Sequence, residues 1–421
     1  MKIAVVGTGI AGMSAAYFLN KEHDVTLFEK NEYVGGHTNT IEVHDGQKTC
    51  HFDTGFMVFN EKTYPHFLKF LAEIHVSYVN TDMSFSVWHE SSNLEYNGSS
   101  LWNGLFAQKK NLFNKDHLRM IYDIIKFKDA SKELLKPEND DQRSIAQLIK
   151  DLSMSEYFLE KFLIPMSSAV WSTPRDKMLE FPAKTMVQFF HNHNLLGADK
   201  RLQWKTIPGG SRTYRDKIVS ILKNKIRINE PVLSVERIVS SSDNQKASAR
   251  LNTSTGTYEY DKVILASHGD ESLKLLKNPT DFQKQILSCF KYEKNVATIH
   301  TDESVMPPMK INWSSWNYIE RNSEVYTTYY MNRLQGVSDR KNYFVNMNGE
   351  SYIDPSKIVK KFVYHHPLFD QSAIQAQKKL FDLNQTGPVY FAGSYFRFGF
   401  HEDALWSSVN LCRHLLNKEV L

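Results

Sequence analysis

Long hydrophobic runs are missing from this sequence: no stretch of about eighteen apolar residues occurs, which leaves no candidate for a membrane-spanning helix. The first apolar run, Ile3 to Val6, is too short for the core of a signal peptide, and glycines follow where a cleavage site would be expected. Cysteine is scarce. The 3 residues, Cys50, Cys289 and Cys412, are far apart and form no Cys-x-x-Cys pair, so neither a disulfide framework nor a thiolate metal site is expected. A reducing cytoplasm is the simplest expectation. The close histidines His191 and His193, and His365 and His366, have no acid or thiol at ligand spacing, so no metal is expected. Charge of one sign is also lacking: 51 Lys and Arg against 47 Asp and Glu leave +4. With no aromatic-basic RNA motif and no zinc-finger spacing, nucleic acid is not an expected partner. Internal repeats and low-complexity tracts are absent.

What is present is a chain of 421 residues, long enough for two domains, with 41% hydrophobic and 23% charged residues. Aromatic residues reach 13%, which suits either an ordinary core or a large apolar pocket. Ile3 to Val6 reads as a buried parallel strand. Gly7-Thr8-Gly9-Ile10-Ala11-Gly12 follows at once, then the helical run Met13 to Leu19 and a second strand, Val25 to Phe28, ending at Glu29. This is the complete strand–GxGxxG–helix–strand–acid unit of a Rossmann-type domain. Gly7 permits the tight turn, Gly9 the close approach of a pyrophosphate, and Gly12 the packing of helix on strand. The helix start offers free N–H groups to phosphate, and Glu29 is placed for ribose hydroxyls.

The residues after Glu29 favour FAD over NAD. Lys30 is followed by Gly35-Gly36-His37-Thr38, and then by Thr54-Gly55-Phe56. The glycine pair resembles the second diphosphate contact of large FAD domains. Further on, Asn229 to Glu236 resembles the adenine-holding strand, with Val232 as the backbone contact. Asp261 to His268, with Ala266 and Ser267, resembles the strand closing the nucleotide domain. Phe391-Ala392-Gly393-Ser394-Tyr395 and Gly399-Phe400-His401-Glu402-Asp403-Ala404 resemble the C-terminal flavin motif.

On these residues the chain resembles the flavin amine oxidase, phytoene desaturase and protoporphyrinogen oxidase superfamily. It is most similar to bacterial FAD-binding proteins encoded beside cyclopropane-fatty-acid synthases, whose counterparts are fused to those synthases in plants. Trp171-Ser172-Thr173, Phe181-Pro182-Ala183, Ser315-Trp316-Asn317-Tyr318 and His366-Pro367 belong to the same set. The resemblance implies an α/β fold: a glutathione-reductase-like FAD domain of the amine oxidase type with an inserted mixed α+β substrate domain. The FAD domain is expected over 1–60, 205–290 and 385–421, and the substrate domain over 61–204 and 291–384. Pro208-Gly209-Gly210 marks a crossing turn, and Ser240 to Asn244 a hairpin tip. Residues 115–200 show helical periodicity, as in Leu118, Ile121, Tyr122 and Ile125, and 325–348 alternate like a strand.

No cysteine lies in the stretch just before the final motif, so FAD is expected to be non-covalent. The resemblance implies that N–H groups near Asp403 and Ala404 face the flavin N1 and O2, where they would stabilise negative charge on the reduced ring. Phe400 matches one side of an aromatic cage, although core packing would also place it. His401 is a candidate proton acceptor or flavin donor, by side chain or backbone alone. Tyr395 is a second candidate of that kind. Glu402 and Asp403 suit dipole and capping roles better than an acid–base pair, because adjacent helical residues do not face each other. Many amine oxidases carry a lysine near flavin N5; the matching stretch is Lys294 to Thr298, with Asn295 a candidate for that place.

The expected activity is hydride removal from an apolar lipid such as a methylated or cyclopropanated fatty acyl chain. An amine oxidase, a redox-neutral lipid isomerase or hydratase, and a non-catalytic FAD-binding partner of a lipid-modifying enzyme are the alternatives. A synthase-like partner is implied by the resemblance. The basic stretch Lys109, Lys110, Lys115, Arg119, Lys126, Lys128 and Lys132 is interleaved with Phe113, Ile121 and Ile125. It fits a solvated helix over a core or a peripheral membrane contact.

Overall fold

The computed structural model describes residues 1–46, 48–136, 138–139, 141–196, 202–238 and 247–421. The expected hairpin tip at Ser240 to Asn244 lies outside the described residues.

Short β-branched runs with both faces apolar build the nucleotide-binding sheet. Its five parallel strands run in the order Ile226–Arg227, Asp24–Phe28, Lys2–Val6, Lys262–Leu265 and Val389–Phe391. Alternation along the central strand divides the layers. Ile3 and Val5 pack toward the helices Ile10–Leu19 and His401–Leu416, whereas Ala4 and Val6 join a second core with Val235, Leu251 and Tyr260. That second face is covered by an antiparallel sheet of Val232–Ile238, Ser248–Thr253 and Thr257–Tyr260. In the helix Ile10–Leu19 every residue but Tyr17 is buried, since it lies between the sheet and the last helix. There Ser14 Oγ meets Ser408 Oγ at 3.0 Å.

A seven-stranded mixed sheet forms the other domain, in the order Ile358–Leu368, Lys291–His300, Phe344–Met347, Glu324–Tyr330, Trp316–Arg321, Phe85–His89 and Leu94–Asn97. The alternation expected over 325–348 is interrupted. The helix Met331–Gln335 intervenes and stops at Gly336, whose φ of 62° is easy only for glycine among the common residues. Asp53 ties the domains together. Its buried carboxylate accepts bonds from Ser211 N at 2.9 Å, Ser211 Oγ at 2.6 Å and Gln335 Nε2 at 2.8 Å.

Helices Lys115–Leu134, Ile145–Asp151, Ile164–Trp171 and Ala183–Asn192 fill the region read as helical. The first of them is helical as expected, and tertiary packing decides which way it faces. Its inward row is His117, Met120, Asp123, Phe127, Ser131 and Leu134, while Leu118, Tyr122 and Ile125 point outward. The polar inward residues are satisfied: His117 Nε2 lies 3.0 Å from the Leu105 carbonyl, and Asp123 accepts bonds from Ser155 and Arg119. Among the described residues, no helix is long and apolar enough to cross a membrane.

Candidate active site

Backbone, more than side chain, shapes the N-terminal part of the site. Gly7 has φ 100°, and a Cβ there would lie 2.8 Å from the Ala266 carbonyl oxygen. A Cβ on Gly12 would lie 1.9 Å from the Gly7 oxygen, so the helix meets the turn at a distance open only to glycine. A Cβ on Gly9 would enter open space, and one on Gly36 would sit 3.2 Å from the Gly9 Cα. Two bare turns therefore face each other. The helix Ile10–Leu19 begins at Gly9 without a side-chain cap and without an acid in its first turn. Its leading N–H groups, those of Ile10, Ala11 and Gly12, have no acceptor within the helix and present the positive dipole end.

Glu29 closes this cradle. It is buried at the strand end, where one carboxylate oxygen accepts from the Thr8 hydroxyl and the other from Asn31 N at 2.9 Å. Glu230 N donates to the Glu29 carbonyl at 2.9 Å, which brings Val232 alongside. The Lys30 side chain turns away to an exposed ion pair with Glu271 at 2.8 Å. Its expected cofactor role is thereby reduced to backbone, because the ammonium has a nearer partner in solvent. His37 Nε2 is buried and has no hydrogen-bond partner among the described residues. A glycine cradle, a helix start free of side-chain caps, a buried ribose-height acid and an unpartnered imidazole nitrogen together fit an extended dinucleotide such as FAD.

The segment after the glycine pair is a junction. The Thr38 hydroxyl bonds Tyr214, whose OH lies 2.8 Å from His401 Nε2. Tyr364 OH takes a bond from Asn39 Nδ2 at 2.9 Å and meets the Thr54 hydroxyl at 2.7 Å. The His37 ring stacks on Tyr364 with centroids 4.9 Å apart and lies 5.5 Å from His366. Asn295 is buried with its Nδ2 3.2 Å from His366 Nδ1, whereas Lys294 is exposed. On this strand and its neighbour Ile358–Leu368, Asn295 and His366 face the interior and Lys294 does not. Burial pushes His366 down to about 4 and holds His37 well below the usual histidine range, so both rings are neutral.

The final helix, His401–Leu416, starts against this junction. His401 stacks on Phe56 at 3.7 Å and 8°, and burial lowers its pKa to about 3. It is a neutral donor or acceptor held by Tyr214. Both carboxylates of the first turn are engaged as caps. Glu402 accepts from His66 N at 3.0 Å, His66 Nδ1 at 2.8 Å and Phe67 N at 2.9 Å, closing the start of helix Pro65–Glu73. Asp403 accepts from Phe400 N at 2.9 Å and Phe398 N at 3.2 Å, and burial pushes it up to about 7.

A cavity of about 250 Å³ opens beside this helix start, lined by Tyr64, Phe189, His193, Arg397, Phe398 and Phe400. Phe400 stacks on Phe189 at 4.8 Å and 21°. Trp171 backs both rings, 4.8 Å from Phe189, with Phe181 at 4.7 Å behind it. Trp171 Nε1 donates to the Phe398 carbonyl at 3.3 Å, fixing the turn that carries Phe400. His193 lies flat on Phe189 at 3.9 Å and is lowered by burial to about 4. Tyr395 is corrected to the core. Its ring is buried between Phe290 and Phe396, each at 5.0 Å, and does not line the cavity.

Gly7, Gly9, Gly12, Glu29 and Gly36 thus converge, the start of the last helix joins them through Tyr214 and His401, and Phe400 reaches the cavity. Sequence reasoning missed Tyr214, Tyr364 and the fact that Glu402 caps the distant helix Pro65–Glu73, because each acts through a partner more than a hundred residues away. For the aromatic wall, Phe400 was the residue singled out in advance. Among the described residues, no three His, Cys, Asp or Glu gather as metal ligands.

A family described as flavin containing amine oxidoreductase matches residues 10–338, most of the chain. The 1-hydroxycarotenoid 3,4-desaturase of Flavobacterium sp. (strain P99-3) is 36% identical over 86 residues, 20% of this chain and 16% of the relative. Prenylcysteine oxidase 1 of Bos taurus is 27% identical over 191 residues, 39% of this chain and 36% of the relative. The chain therefore matches well under half the length of these relatives. A solved putrescine oxidase bound to putrescine superposes with a TM-score of 0.71 at 15% identity, covering 99% of this chain and 100% of that one. At that identity the likeness is one of fold.

Proposed function

The chain belongs to the flavin containing amine oxidoreductase family, and from that premise we propose that it is an FAD-dependent oxidoreductase acting on an apolar lipid such as a fatty acyl chain. The observation that carries this reading is the cavity beside the last helix. Tyr64, Phe189, Phe398 and Phe400 give it an aromatic side that faces a polar one of Lys62, Thr63, His66, Asn192 and Arg397, and both of its carboxylates, Glu402 and Asp403, are committed to backbone caps. An ammonium substrate would find no free acid there. A methylene chain would find Phe189, Phe398 and Phe400, which supply area and exclude water. The relatives with a stated apolar substrate, a carotenoid desaturase and a prenylcysteine oxidase, support the same class.

FAD bound in the cradle supplies a two-electron acceptor for a hydride taken from carbon. The chain does the rest. Gly9, Gly36 and the N–H groups of Ile10 and Ala11 would hold the diphosphate, and Glu29 would hold the ribose. The first-turn N–H groups of helix His401–Leu416 would stabilise negative charge on the reduced cofactor. Tyr214 holds His401 in place, and Phe400 with Phe189 holds the substrate carbon chain. Hydride loss with loss of a proton from the neighbouring carbon leaves a double bond. The proton goes to solvent, and oxygen or an electron carrier takes the two electrons.

The test is an anaerobic titration of the purified flavin-loaded protein with dispersed phospholipids, following the visible flavin band. Bleaching is expected. A band that persists with lipid but bleaches with primary amines would overturn the lipid reading in favour of amine oxidation.

A further inference from the structure

The outward row of helix Lys115–Leu134 is apolar where a solvated helix would be polar. Ile125 is 59% exposed, Tyr122 58% and Leu118 44%, at the i, i+4, i+7 spacing of a single stripe. The chain just before the helix adds two more exposed rings. Phe113 is 90% exposed and Trp102 61%. Their segment is held against the helix, because His117 Nε2 lies 3.0 Å from the Leu105 carbonyl and the Phe106 ring packs on His117 at 5.6 Å. Phe113 directly precedes Asn114, the residue that caps the helix. Five large exposed apolar side chains within residues 102–125 exceed what solvation alone would place there.

The charge around them is mainly basic, with Asp116 and Asp129 as the exposed acids. Lys109, Lys110, Lys115 and Arg119 are exposed beside the stripe, with Lys126 partly so. Lys109 and Lys110 fold back on the Trp102 and Asn93 carbonyls. Between Lys109 and Lys128 the exposed acid is Asp116; Asp123 points inward to Ser155. The helix also packs on Ala183–Asn192, which carries Phe189 and His193 into the cavity. One helical layer therefore separates the exposed stripe from the aromatic wall.

We propose that this face, Trp102, Phe113, Leu118, Tyr122 and Ile125 with their lysines, is a docking surface for an anionic phospholipid bilayer. Aromatic and aliphatic tips enter the interfacial region, and the lysine stems lie along it with their ammonium groups at the phosphates. The segment lies flat on the surface and does not span it. The proposal concerns binding alone. A lipid that binds here but never bleaches flavin would sink the redox reading and leave this one standing.

The experiment is flotation of the flavin-loaded protein with vesicles of phosphatidylcholine alone or mixed with phosphatidylglycerol. Binding to the mixed vesicles, weakened by salt, is expected. Trp102→Ser with Phe113→Ser should weaken it about tenfold or more. Lys109→Glu with Lys115→Glu should weaken it about fivefold per charge on the mixed vesicles. An unchanged visible spectrum and melting midpoint in these surface variants separates lost docking from lost fold. Wild-type protein that fails to float overturns the proposal. So does a Trp102→Ser/Phe113→Ser variant that floats like the wild type, or a stripe that instead pairs two copies in sedimentation without any response to vesicles.

Discussion

The glycine cradle and the aromatic cavity wall meet at the start of one helix, yet they are built by opposite means. The cradle works by leaving atoms out. Gly7, Gly12 and Gly36 let backbone approach backbone, and the binding groups are N–H donors common to every residue. The wall works by filling space, with Trp171, Phe181, Phe189 and Phe400 stacked in depth behind the cavity. A site made of absences tolerates no added atom, whereas a site made of rings tolerates exchange among rings. Cofactor binding and substrate choice should therefore fail separately.

Gly12→Val is the strongest way to break the cradle. Its Cβ would sit 1.9 Å from the Gly7 oxygen, and neither backbone can yield. Protein purified without visible flavin absorbance and destabilised by about 3 kcal/mol is expected. A yellow variant with the wild-type melting midpoint would show that the two turns are not the constraint.

Acid tests the buried rings as a group. His193 and His366 are held at about 4 and His401 at about 3 in the fold, while the unfolded chain protonates histidine near about 6.5. Below that pH the unfolded state takes up protons that the folded state refuses. Stability fully present above about 6.5 is therefore lost as pH falls toward about 4. Asp403, raised to about 7, acts with the opposite sign, since the folded state keeps a proton that the unfolded chain has released. The lowered histidines, to which His37, His89 and His300 add, outnumber the raised carboxyls Asp403 and Asp53 and give a net loss in acid, read as a falling melting midpoint. His193→Gln should flatten that limb and leave flavin content unchanged, which would place its share in the wall. A midpoint level down to about pH 4 would contradict the assignment.

Phe400→Leu sharpens the comparison from the other side. The wall loses a stacked ring but keeps an apolar surface. Flavin content should be unchanged, and the lipid concentration for half-bleaching should rise up to about tenfold. Loss of flavin in this variant would mean that wall and cradle are not separable. Tyr214→Phe, with the smallest expected effect, removes the hydroxyl between Thr38 of the cradle and His401. A melting loss of about 1 kcal/mol is expected, together with a small shift in the flavin spectrum as His401 loses its partner. No change in either would mean that the hydroxyl does not join the two parts.

This contrast also explains what could be read in advance. Gly7, Gly9, Gly12 and Glu29 announce themselves because their chemistry is local: a turn, a helix start and a strand end within one short unit. The wall is assembled from Trp171, Phe189 and Phe400, which are joined only by tertiary packing. Helix Lys115–Leu134 shows a sharper limit. Its periodicity was legible and its facing was not, because spacing reports that an apolar row exists and not which way it looks. The buried row contains His117 and Asp123, whose partners Leu105 and Ser155 no pattern within the helix reveals. Tyr395 sits in a motif next to the site, but the short turn Ser394–Phe396 aims it into the core.

The edge strand Val389–Phe391 and the helix His401–Leu416 are late in the chain, yet they complete the layer that the first strand and helix begin. Helix Ile10–Leu19, almost wholly apolar, finds its cover only when that late helix arrives. At ordinary ribosomal rates the wait is on the order of tens of seconds. During that interval the nascent N-terminus exposes a greasy surface with no partner of its own. The complete site therefore exists only once the last helix, His401–Leu416, has been made and has packed on the first.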